Sequence, residues 1–144
     1  MHILSVITAL TLFFVHAAAH ILSVSTTTTC LTVTSDSVLP LTFSTTISPT
    51  DNIDFSLAVG LGTASVNITP PQLGEIWLQN FDLVALGHAE TGTGSFTLQI
   101  PINTNNAGFF TSGNFTVTVA ATRAFGARYG TELAFYQVPV ELTI

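Results

Sequence analysis

Beyond its first twenty residues the chain alternates apolar and polar positions with a period of two, in short runs rich in Thr, Val, Ile and Phe. That period is the mark of a half-buried β-strand. In IDFSLAVG it sets Ile53, Phe55, Leu57 and Val59 on one face. In NFTVTVAAT it gathers Phe115, Val117, Val119 and Ala121, with threonines opposite, and in SFTLQI it gathers Phe96, Leu98 and Ile100. The alternation predicts strands over 21–25, 30–35, 39–47, 53–61, 75–78, 94–100, 114–122 and 133–144. The gaps carry turn residues, among them Ser48-Pro49-Thr50-Asp51-Asn52, Gly60-Leu61-Gly62, Pro70-Pro71, Thr91-Gly92-Thr93-Gly94 and Ser112-Gly113. Glycine supplies positive φ and proline fixes φ, so these sites favour reversals. Pro139 interrupts the last run and predicts an edge or a bulge there. No stretch after residue 20 holds a helical period over twelve or more residues.

About seven or eight short strands within residues 20–144 predict a single all-β domain, an immunoglobulin-like or fibronectin-type β-sandwich. The sequence has no Cys-Trp-Cys pin, which excludes a true immunoglobulin domain. Trp77 is expected in the core. Cys30, in TTTTCLTVT, is expected to point inward as a small buried group.

The opening segment, MHILSVITALTLFFVHAAAH, has a different pattern. An apolar stretch over 3–15 is followed by Ala17-Ala18-Ala19, the small-residue arrangement that signal peptidase cuts. Residues 1–19 are therefore read as a signal peptide, and cleavage would leave His20 as the mature N-terminus. The apolar run is shorter than the roughly 20 residues that span a bilayer. With no second such stretch, the expectation is a secreted, extracellular domain without a membrane anchor, freely soluble or wall-associated.

Composition narrows the partners. The 144 residues include no lysine, two arginines and eight acidic residues, for a net charge of −6. So few cations cannot neutralise a phosphate backbone, which argues against nucleic-acid binding. Hydrophobic residues make up 47% of the chain and 11 are phenylalanine, enough for a core. The single cysteine rules out an intramolecular disulfide, so that core must hold the fold alone.

Candidate chemistry is sparse. Two N-glycosylation sequons occur, at Asn67 and at Asn114; Pro70 directly after the first weakens it as an acceptor. An N-terminal His20 with His88 could supply nitrogen ligands for copper, although the plainer reading of His88 is a solvated loop residue. With one further histidine after His20, no Ser-His-Asp set can be assembled. The carboxylates show no acid/base spacing. The expectation is a non-enzymatic protein without a cofactor.

The most specific signal is C-terminal. The stretch SGNFTVTVAATRAFGARYGTELAFYQVPVELTI resembles the last two strands of the fungal necrosis-inducing secreted effectors. Gly113, Phe115, Phe125, Gly126, Ala127 and Tyr136 stand at that family's Gly-x-Tyr, Leu-Tyr-Gly-Ala and late Tyr positions. DFSLAVGLG and FTLQIPI resemble its earlier strands, with Pro101 matching. Phe replaces Tyr at 115 and 125, and the connection over 103–111 is longer than usual. The resemblance implies a secreted effector that binds plant receptor-like kinases, suppresses immune signalling and provokes cell death at high dose. Wall-assembly proteins with a Ser/Thr-rich tail carry a similar domain, which leaves a structural protein of the wall or matrix as the competing reading.

Around AFGARYG stand both cations, Arg123 and Arg128, with Phe125 and Tyr129. Arginine and aromatics concentrate binding energy at interface centres, so these four residues are a possible interface. On the plainer reading Phe125 is core, and the arginines are solubilising charges whose loss would leave the fold intact. The oligomeric state is not fixed by the sequence.

Overall fold

A computed structural model describes residues 19–48, 50–63, 71–90, 92–102 and 111–144. Residues 1–18 of the segment expected as a signal peptide over 1–19, the sequon at Asn67 and the connection over 103–110 lie outside the described residues. The chain forms an all-β sandwich of eight strands: β1 (Ala19–Ser25), β2 (Cys30–Thr32), β3 (Val38–Ile47), β4 (Asn52–Thr63), β5 (Ile76–Asp82), β6 (Gly94–Pro101), β7 (Gly113–Phe125) and β8 (Gly130–Thr143). Each strand overlaps one expected from the alternation, and no helix occurs among the described residues. One sheet has the order β1-β3-β6 and the other β2-β8-β7-β4-β5. All pairings are antiparallel except that of β2 with β8, which is parallel.

The period of two builds the core directly. From the smaller sheet Leu39, Leu41 and Phe43 meet Phe96, Leu98 and Ile100. From the larger come Leu57, Val59 and Leu61, Val117, Val119 and Ala121, and Val138, Val140 and Leu142. Each of the Val, Leu, Ile and Phe side chains contributes about 1.5–3 kcal/mol on burial. Phe115, at the end of its series, is half-buried against this core.

Pro139 sits opposite Thr116 of β7. The N–H of Glu141, two residues on, donates away from β7 to the Thr29 carbonyl (2.8 Å). By the same parity the Pro139 nitrogen faces the side of β8 where β2 has not yet begun to pair. The missing donor costs nothing at such an edge.

Three expectations fail, each for a local reason. In β4 a bulge falls between Asp54 and Ser56 in the pairing with β7. The extra residue breaks the alternation, so Phe55 turns outward at 38% exposure while Asp54 is buried at 2%. Trp77 is not core: Ile76 and Leu78 take the inward positions of β5, leaving Trp77 outward at 61% exposure, its Nε1 donating to Asn80 Oδ1 (3.1 Å). Cys30 is exposed, because Leu31 and Val33 carry the inward parity of β2 and its continuation.

The chain entering β5 crosses the outer face of β4 at close range. A Cβ built on Gly60 would collide with the Leu73 carbonyl oxygen, and one on Gly62 would lie 3.1 Å from the Gly74 Cα. Glycine on the strand is what lets a second backbone approach there.

Candidate functional site

β7 and β8 pair without interruption from Gly113 opposite Leu142 to Phe125 opposite Gly130, so residues 126–129 form the hairpin tip. Gly126 has φ 71°, as a turn at the strand end requires, and its N–H donates to the Asp51 carbonyl at 2.8 Å. The Tyr129 N–H donates to the Gly126 carbonyl at 2.9 Å. Tyr129 has φ 50° and is the one non-glycine residue in the left-handed region among the described residues. That conformation costs an L-residue about 1–2 kcal/mol. Tyr129 is 62% exposed, and Arg128 beside it is exposed. Phe125 is also exposed rather than core, and its ring lies across Gly130, where a Cβ would come within 3.1 Å of it. The structure thus gathers Phe125, Arg128 and Tyr129 on one projecting turn.

Arg123 belongs elsewhere, and its reading as a replaceable surface charge is corrected. It continues the inward series Val117, Val119, Ala121 and enters one end of the sandwich, opposite Asp54 on β4 and Glu132 on β8. Its Nε donates to Asp54 Oδ1 (3.1 Å) and one terminal nitrogen to Glu132 Oε1 (3.3 Å). The other donates to the Tyr136 hydroxyl (2.6 Å) and the Ile21 carbonyl (3.1 Å). The Tyr136 hydroxyl donates to that same carbonyl, and the Ile21 N–H donates to Asp54 Oδ2 (2.6 Å).

Ile21 lies on β1, an edge strand, beside a register shift that turns Leu22 out to solvent. Side chains from three neighbouring strands of the larger sheet therefore hold both backbone groups of one residue in the smaller sheet. This clamp satisfies an edge that would otherwise be open. Burial pushes the Asp54 carboxyl above its ordinary value, against the opposing pull of the Ile21 N–H, Arg123 and His20. Burial also pulls the Arg123 guanidinium down, but Asp54, Tyr136 and Glu132 together outweigh it and hold it above its usual value. Burial raises the Tyr136 hydroxyl, which stays a neutral donor.

The remaining candidates are dispersed. His20 on β1 pairs with Thr46 of β3, and its Nδ1 is shielded from solvent without a hydrogen-bond partner. His88 is not a freely solvated loop residue: its half-buried ring stacks on Phe96 with centroids 4.2 Å apart. Among the described residues no three His, Cys, Asp or Glu side chains converge where they could hold a metal ion. Asn114 is exposed at the start of β7. The clamp is the arrangement that reading residue by residue missed. Its signal was present for Arg123, two residues beyond Ala121 on the inward parity, but the bulge hid it for Asp54. A search of family models and of curated proteins finds no match to this chain.

Proposed function

We propose that the chain is a secreted, effector-like protein that acts by binding a partner protein without turnover, its contact centred on Phe125, Arg128 and Tyr129. The observation that carries this reading is Tyr129. A glycine would hold its left-handed conformation without strain, yet the position keeps a large, exposed side chain beside the chain's one arginine outside the clamp. Strain retained at an exposed aromatic points to a use for the side chain. The clamp two residues behind Phe125 braces the turn, which lowers the ordering cost of binding.

The partner class that the family resemblance implies is a host receptor-like kinase, with suppressed defence signalling and cell death as the outcome. The strand order, with a short early strand parallel to the last, supports an immunoglobulin-like description of the sandwich.

The test is capture of the kinase domain of a plant receptor-like kinase by the folded protein, with insoluble chitin and glucan in parallel. The expected result is kinase capture that Arg128→Ala with Tyr129→Gly weakens by about 2 kcal/mol or more, while melting is unchanged or slightly raised. Retention on glucan or chitin with no kinase capture would instead favour the wall-associated role.

A further inference from the structure

The connection leaving β5 is pinned to the sandwich at both ends. The Leu83 side chain is fully buried, and its N–H donates to the carbonyl of the bulged Phe55 at 2.9 Å. The Ala85 N–H donates to Asp82 Oδ1 (3.0 Å), the Leu86 N–H to the Asp82 carbonyl (3.1 Å) and the His88 N–H to the Leu83 carbonyl (2.8 Å). At the far end the His88 ring stacks on Phe96, which stacks in turn on the buried Phe43 with centroids 5.0 Å apart. A segment fixed this firmly needs no exposed apolar side chains to fold. It nevertheless holds Val84 in solvent at 58% exposure, with Leu86 also exposed, and the β4 bulge turns Phe55 out beside Val84.

Phe55 and Val84 form a ridge between two open grooves. One, of about 550 Å³, runs past Asn80 to Asp82. The other, of about 340 Å³, runs past Ile53 and Ala89 to Glu90. Each groove is mostly apolar and includes one carboxylate. Neither Asp82 nor Glu90 has an ion-pair partner among the described residues, since the ion pairs found there belong to Arg123.

We infer that the Phe55–Val84 ridge is a second docking surface, whose occupant is a segment of a partner protein carrying an apolar side chain between basic ones. The apolar walls receive the central side chain, and the two carboxylates receive the flanking cations. A second copy of this chain is a poor occupant. It has no lysine, one of its two arginines is held in the clamp, and its net charge of −6 repels its like.

The experiment records amide ¹⁵N–¹H spectra of the folded protein titrated with three synthetic peptides, in which one leucine is flanked on both sides by arginine, by serine or by glutamate. The arginine peptide is expected to shift Phe55 and residues 82–90. Its affinity should fall about ten-fold in Val84→Ser, in Asp82→Asn with Glu90→Gln, and with serine flanks, while Tyr129→Gly leaves it unchanged. Equal shifts with the glutamate peptide, or shifts confined to other residues, would overturn the inference. So would a dimer in sedimentation that Val84→Ser abolishes, which would make the occupant a second copy.

Discussion

Arg123 owes its role to parity and Arg128 owes its role to a turn, and the two should respond differently to the same change. Truncating Arg123 leaves the Asp54 carboxylate buried and removes one of the two donors to the Ile21 carbonyl. Breaking a buried pair in this way costs about 3–5 kcal/mol, a large share of the roughly 5–15 kcal/mol that holds a domain together. Arg123→Ala should therefore lower the denaturant midpoint markedly, whereas Arg128→Ala should stay within about 0.5 kcal/mol of the parent. Asp54 offers a separate reading of the same cluster through pH. Burial holds its carboxyl above the ordinary value, so the folded chain binds this proton more readily than the unfolded chain does. The resulting stability is fully present below the ordinary aspartate value and is lost as pH rises through the raised one. Between neutral pH and about pH 4, the melting difference between the parent and Asp54→Asn should move in the parent's favour as acid is added. Movement the other way would mean that the ion pair with Arg123 outweighs burial.

At the scale of the strand, each pattern was legible where alternation ran unbroken and illegible where one inserted residue broke it. The series Val117, Val119, Ala121 predicted its own burial, and its extension reaches Arg123. Nothing in IDFSLAVG marks the bulge, because the extra residue leaves composition untouched and is set by pairing with β7. Trp77 and Cys30 differ from expectation for another reason: the inward parity of their strands belongs to Ile76 and Leu78, and to Leu31 and Val33, which leaves the residues between them facing out. Of the four residues singled out around AFGARYG, Phe125, Arg128 and Tyr129 stand exposed and Arg123 turns inward, and the clamp was hidden because its members come from four strands. β4 also carries an approach that sequence spacing cannot show. Gly60→Ala would press a methyl against the Leu73 carbonyl, where backbone must move. The expected loss is about 1–3 kcal/mol in a thermal melt. Gly94→Ala, with no atom within 4 Å of the added carbon, should lose no more than about 1 kcal/mol.

For the molecule as a whole, the two sheets share one apolar core and a polar clamp closes one end of it. Both the hairpin tip and Phe55 lie at the clamped end, the tip just beyond Arg123 and Phe55 in the bulge next to Asp54. The parallel pairing of β2 with β8 adds a mechanical consequence. Ala19 lies at the clamped end and Ile144 at the other, beside Ser112. Tension applied between these residues would run along the strands. The bonds from Glu141 to Thr29 and from Val33 to Thr143, both 2.8 Å, would then be sheared together rather than unzipped one by one, and the clamp on Ile21 would be strained before the core was exposed.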